Sequence, residues 1–150
     1  MTPAPRASAL TEAPRAPADS VTLAHAERHR RRGLLVTDGG AEIMLDLAKA
    51  TELMAGHALV LDDGREVLIR AAAEPLAEVR PGDAPLARLA WHVGNRHVPC
   101  QIEADRLLIA RDHVLEAMLG GLGARIAHVE APFHPEGGAY GHGRTHDHHH

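Results

Sequence analysis

The hydrophobic period of this chain changes partway along, and that change limits the available folds more than any other feature. Up to about residue 73 the apolar residues come in short runs that end in turn signals. Leu34-Leu35-Val36 leads into Asp38-Gly39-Gly40, and Ala58-Leu59-Val60-Leu61 leads into Asp62-Asp63-Gly64. Glycine tolerates positive φ and Asp bonds its own backbone, so Asp-Gly between apolar runs favours a tight turn between strands. From about residue 74 helical stripes enter. Ala77 and Val79, alternating with Glu78 and Arg80, fit a short strand, and Pro81-Gly82 turns the chain. Asp83 is then placed to cap, and Pro85 to open, a helix on which Leu86, Leu89, Ala90, Val93 and His97 share one stripe, with Gly94 loosening the last turn. Cys100 to Ile109, interrupted by Glu103-Ala104-Asp105-Arg106, reads as a hairpin. Asp112 caps a second helix with Leu115, Met118, Leu119 and Leu122 on one face and Gly123 at its end, and residues 125–130 supply a last strand.

Strand, helix, two strands, helix, strand is the ferredoxin-like split βαβ order. The expected fold class is therefore α+β: a small N-terminal β domain over residues 21–73, then a ferredoxin-like βαββαβ domain over 74–134. Residues 1–20 hold four prolines and no apolar run, and are expected to form a disordered leader. Residues 135–150 carry no apolar periodicity and are expected to be a flexible His-rich tail. Domains of roughly 50–60 residues bury a modest share of their surface, which favours dimerisation.

Composition excludes several functions. Among 150 residues there are three aromatics, Trp91, Phe133 and Tyr140, and 16 Lys+Arg stand against 20 Asp+Glu. That balance gives neither the basic face nor the stacking platform of a nucleic-acid binder. The densest basic stretch, Arg28-His29-Arg30-Arg31-Arg32, reads as a surface run, with docking of an acidic partner as the alternative. No run approaches the roughly 18 apolar residues of a membrane span, and the N-terminus lacks the apolar core of a secretory signal. One cysteine, Cys100, allows no internal disulfide and suits a reducing cytoplasm. There is no HExxH, GxSxG, GxxxxGK[ST] or GxGxxG, so the chain is not expected to be an enzyme.

Thirteen histidines are the compositional anomaly. His142, His146, His148, His149 and His150 crowd the end of the chain, where a flexible segment can wrap several imidazoles around one cation. Imidazole suits divalent nickel, copper and zinc, so composition does not choose the metal. An expression-tag remnant is the alternative for this run, although Gly, Arg, Thr and Asp interrupt it. His97 has two readings. It packs against a neighbouring element, or it lies at a twofold axis where two copies present two nitrogens to one ion. His113, at the positive end of the second helix, is either an exposed polar residue or an auxiliary neutral ligand. His25 and His29 could share a helical face, but the adjacent arginines would repel a dication. His57, His92, His128 and His134 look incidental.

Taken in order, Gly94-Asn95-Arg96-His97, Val98-Pro99, Gln101-Ile102-Glu103, Asp112-His113-Val114-Leu115-Glu116, Met118-Leu119, Gly121-Leu122-Gly123, Pro132-Phe133 and Pro135-Glu136-Gly137-Gly138-Ala139-Tyr140-Gly141 resemble the UreE family of urease accessory proteins. The resemblance runs from Thr22-Leu23 to the His-rich end. It implies a cytoplasmic metallochaperone that delivers Ni(II) to apo-urease. Its N-terminal domain would be related to a chaperone peptide-binding fold, and its C-terminal domain would be a ferredoxin-like metal-binding domain. It further implies a homodimer in which His97 faces its twin and binds nickel, with tail histidines as added ligands. The implied partners are the accessory GTPase UreG and the apo-urease accessory complex. Zn(II) or Cu(II) can occupy such ligands in vitro, and a metal buffer or store without a delivery role is the alternative function. Two departures stand out. Arg111 occupies a position where some members carry a histidine two residues before the match to His113, and residues 41–55 read more like a loop or helix than the family's strands.

Overall fold

Strand formation begins far earlier than composition suggests. The computed structural model describes residues 3–137, and in it Arg6–Thr11 forms a strand (β1) and Asp19–Leu23 a second (β2). The expected disordered leader at 1–20 is thus overturned. Prolines 3, 5, 14 and 17 lie outside the two strands, where a missing N–H costs no ladder bond. Ala7 is completely buried, because small residues suffice where a strand is paired on both sides. The linking segment is held too: the Glu66 carboxylate accepts the backbone N–H groups of Arg15 and Ala16 at 2.8 and 3.2 Å.

The chain divides into two units, Met1–Ala72 and Ala73–His150. In the first, a short 3-10 turn at His25–Glu27 leads to His29–Val36 (β3), Glu42–Glu52 (β4), Ala58–Leu61 (β5) and Glu66–Ala71 (β6). These six strands form one sheet in the order β2-β6-β5-β1-β4-β3, with β1–β4 and β2–β6 parallel and the other pairs antiparallel. Its buried face follows the period of two: Val21 and Leu23, Ile43, Leu45 and Leu47, Leu59 and Leu61, Val67 and Ile69. Both Asp-Gly segments turn as expected, with Gly40 and Gly64 at φ of 90° and 91°. The turn after β3 also reaches the opposite edge of the sheet, where the Asp38 N–H donates to the Ser20 carbonyl at 2.7 Å and the Asp38 carboxylate accepts from the Ser20 and Thr22 hydroxyls.

Two local expectations fail in this unit. Residues 41–55 are neither loop nor helix, since β4 occupies most of them. Good helix formers such as Met44, Lys49 and Ala50 hide the alternation of Ile43, Leu45 and Leu47, and tertiary burial decides the outcome. The arginine run is not wholly surface: Arg28 is buried, and its guanidinium donates to the Leu23 carbonyl at 3.0 Å.

The second unit runs Ala73–Arg80 (β7), Leu86–Asn95 (α1), Gln101–Ile102 (β8), Leu107–Ala110 (β9), His113–Gly121 (α2) and Arg125–Pro132 (β10). Its sheet is antiparallel throughout, in the order β10-β7-β9-β8. One face carries Ala77, Val79, Leu107 and Ile109 against Leu89 and Val93 of α1 and Leu115 and Leu119 of α2. The opposite face carries Leu76 and Leu108, closed by Phe133 with Val129 and Ala131 beside them. Asp112 caps α2 as expected, accepting the Val114 and Leu115 N–H groups, both at 3.0 Å. Asp83 does not cap α1: the N-cap is Pro85, with no side-chain cap. Asp83 instead meets the end of α2, its N–H bonding the Gly123 carbonyl at 3.0 Å, and a Cβ at Gly82 would overlap that same oxygen. Among the described residues no helix is long and apolar enough to cross a membrane.

Leu119 is fully buried between α2 and the sheet. Truncation to Ala is expected to cost about 2–5 kcal/mol in a urea titration of the intact protein. Acid will also weaken this unit. Glu78 accepts from Arg106 at 2.8 Å and from Arg80 at 3.2 Å, and these bonds hold its carboxyl below the ordinary value against the opposing effect of burial. A folded-state pKa below the unfolded one means that the stabilisation is complete above about pH 5 and is lost as pH falls through the folded value. Glu78→Gln should therefore unfold with a shallower stability loss between pH 5 and 3 than the wild type.

Candidate metal site

His97 leaves its helix in an unusual way. The apolar stripe expected to carry it stops short: α1 ends at Asn95, Arg96 is the C-cap with its N–H on the Val93 carbonyl at 3.0 Å, and the His97 N–H bonds the Gly94 carbonyl at 3.0 Å. Gly94 and Asn95 are poor helix formers, and Pro99 biases Val98 away from helical geometry, so nothing prolongs the helix. His97 has a φ of 58°, the one positive φ outside glycine among the described residues. This is the position after a helix where glycine is usual. A side chain there costs roughly 1 kcal/mol or more, a kind of strain that collects at functional sites. His97 is exposed, so packing against a neighbouring element, the first of its two readings, does not describe it.

The residues flanking His97 meet the start of α2. Arg96 and Val98 line a shallow cavity of about 140 Å³ together with Asp112, Val114 and Leu115. His113 is the first residue of α2 and is exposed, as is Val114. The fold thus brings the His97 and His113 segments to one cavity.

What fixes the start of α2 is a latch that sequence spacing only partly reveals. Glu116 accepts the Asp112 N–H at 2.8 Å, completing a reciprocal cap with the Asp112 side chain, and also bonds Arg111 at 3.2 Å and His128 Nε2 at 2.8 Å. Burial alone would push the Glu116 carboxyl up, but the bonds from His128, the Asp112 backbone and Arg111 outweigh it and hold the group below its ordinary value. His128, which looked incidental, therefore ties β10 to α2. Arg111 joins the same carboxylate. The acidic residue in the first turn of α2 was the available signal, and the β10 partner was not.

The remaining candidates separate from this place. Cys100 is half-buried just before β8 with its thiol pushed up to about 11, first by burial and then by the Glu136 charge, so it stays protonated and is a poor metal ligand at neutral pH. His25 lies in the 3-10 turn and His29 in β3, so they share no helical face. His92 packs edge-on to Trp91 with ring centroids 5.1 Å apart. Among the described residues no group of three or more His, Cys, Asp or Glu is arranged to hold a metal ion. His142, His146, His148, His149 and His150 lie outside the described residues. One boundary moves: the segment expected to loosen at residue 135 is still bound at Glu136, whose N–H donates to the Cys100 carbonyl at 2.8 Å.

Comparison with known proteins covers both units. Residues 3–72 match the N-terminal domain of the UreE urease accessory protein, and residues 74–150 match its C-terminal domain. A urease accessory protein UreE of Paracoccus denitrificans (strain Pd 1222) is 60% identical over 125 residues, 83% of this chain and 79% of that protein. One from Bradyrhizobium sp. (strain ORS 278) is 60% identical over 126 residues, and there the chain covers 60% of the longer relative. One from Rhodobacter capsulatus is 56% identical over 133 residues, 87% of this chain and 83% of that protein. These relatives are named as accessory proteins and not as enzymes. The chain belongs to the UreE family of urease accessory proteins.

Proposed function

We propose that this protein is a nickel carrier for urease maturation, a homodimer in which His97 of each copy contributes one imidazole nitrogen to a shared Ni(II). The observation that carries the reading is His97 itself: exposed, strained and beside a cavity in a chain with no preformed cage among its described residues. Two nitrogens hold an ion without trapping it. His142, His146, His148, His149 and His150 then complete and shield the coordination sphere, and His113, between the cavity-lining Asp112 and Val114, is an auxiliary ligand. The second unit is of the ferredoxin-like class on this reading, supported by helices that follow the first and third strands of a β10-β7-β9-β8 sheet. The N-terminal unit is the peptide-binding-like domain. The working compartment is the cytoplasm, and the receiving partners are UreG and the apo-urease complex.

Delivery follows from ligand exchange. A proton and a metal ion compete for the same imidazole nitrogen, so affinity falls as pH is lowered. Imidazole also accepts Zn(II) and Cu(II), and the choice of Ni(II) rests on the family's role in urease maturation.

Calorimetric nickel titration of His97→Ala should lose the tightest site, and an unchanged site would refute the anchor. Deleting residues 142–150 should lower the nickel stoichiometry and leave the dimer intact by light scattering. His97→Gly should bind as poorly as His97→Ala yet gain about 0.5–1 kcal/mol in urea unfolding, because glycine adopts the left-handed backbone at no steric cost. In a reconstituted mixture the nickel-loaded wild type should activate apo-urease. A chain that binds nickel and fails this assay would be a buffer and not a carrier.

A further inference from the structure

The segment after β10 does not hang from the sheet edge where that strand ends. Pro132 pairs with Ala73 at the β10 edge, but Phe133 turns inward, 3% exposed, onto Leu76 of β7 and Leu108 of β9. The His134 N–H then donates to the Gln101 side-chain carbonyl at 2.8 Å, and the Glu136 N–H to the Cys100 carbonyl at 2.8 Å. Gln101 opens β8, the opposite edge strand. Residues 133–136 therefore cross the helix-free face from one edge to the other, a distance of roughly 14 Å for three strand spacings. No secondary structure requires this route. Phe133, one of three aromatics in the chain, plugs the second core and makes it favourable.

The crossing ends at Cys100 and Gln101, a short stretch of chain after the candidate anchor. His97 is three residues from Cys100, so their Cα atoms lie within about 11 Å. Six peptide units separate Glu136 from His142 and reach at most about 21 Å. Released from the sheet at Pro132, the same histidine would hang on a ten-residue tether from the far edge. Effective concentration falls roughly as the three-halves power of tether length, about twofold here, and falls further with displacement of the root.

We propose that residues 133–136 are a positioning strap: Phe133 packed on Leu76 and Leu108, with the backbone bonds to Gln101 and Cys100, fixes the root of the histidine-bearing end at the β8 edge of the sheet, the edge into which the chain runs from His97. This rests on the proposed nickel roles of His97 and the terminal histidines. Phe133 and Gln101 touch no metal. They act through where the following chain starts, which makes them positioning residues.

The test is a cycle of nickel titrations on the full chain: wild type, Phe133→Ala, deletion of residues 138–150, and the two combined. Amide hydrogen exchange at His134 and Glu136 reports whether the strap is released. Phe133→Ala should speed that exchange and weaken the tightest nickel site at least about threefold in the full chain, with no effect in the chain lacking 138–150. Phe133→Leu, which keeps an apolar plug, should restore most of the affinity. An unchanged affinity with faster exchange would overturn the strap, as would a loss that persists in the shortened chain, since that loss would come through the fold. If the deletion alone leaves the tightest site unchanged, the terminal histidines are not ligands there, and the underlying reading falls first. Should Phe133→Ala not fold, Gln101→Ala serves in the same cycle, with a smaller loss expected and the same outcomes decisive.

Discussion

An antiparallel sheet can leave a polar face to water, but every apolar side chain on either face has to be covered. In the second unit that constraint governs nearly everything else. Alternation along β7 sends Ala77 and Val79 to one side and Leu76 and Glu78 to the other. Two helices cover the first side. The other side has no helix, and it solves the problem in halves: Phe133 closes the apolar half over Leu76 and Leu108, while Glu78, Arg80, Glu103 and Arg106 knit the polar half into charge-assisted pairs. A single aromatic thus substitutes for a whole layer, and the chain that delivers it is committed to the route it then follows.

The same requirement sets where α1 ends. Leu89 and Val93 are its fully buried residues, and beyond Val93 no side chain of the helix is buried. A helix that has used its apolar stripe gains nothing from another turn. It stops, and the backbone reverses through the exposed His97 in the left-handed conformation, with the flanking Arg96 and Val98 set against the capped start of α2. Termination of one helix and initiation of the other are independent local events. Their juxtaposition is a product of packing both helices on one sheet face.

This division explains what was readable in the sequence. Features written in neighbouring residues came through: the Asp-Gly turns, the Asp112 cap, the strand and helix order of the second unit, and the GNRH segment with its resemblance to UreE. Features that depend on a distant partner did not. β1 is too poor in large apolar residues to look like a strand, yet it lies between β4 and β5. The alternation in β4 was masked by helix-forming residues, and Arg28 needed the Leu23 carbonyl to be buried. His97 was singled out for the wrong geometric reason. It was placed on an apolar stripe, whereas its distinction is the left-handed turn after that stripe ends, a feature that Gly94 and Pro99 hint at and do not specify. His128 and Phe133 carried no local signal of their roles.

A carrier differs from a store in how its ligands are distributed between rigid and tethered parts. A cage of four fixed side chains binds tightly because its entropy of assembly is met during folding, and for the same reason it releases slowly. On the proposed reading one imidazole per copy is fixed by the fold and the rest arrive on a tether, so much of the affinity is effective concentration and not preorganised geometry. Such affinity can be withdrawn one ligand at a time as a partner offers competing groups, and each withdrawal is a small step. On that reading the strain at His97 fits the same logic, since the ligand that anchors the ion is the one whose backbone is specified by the end of a helix. Where the tether begins then becomes as consequential as which residues it carries.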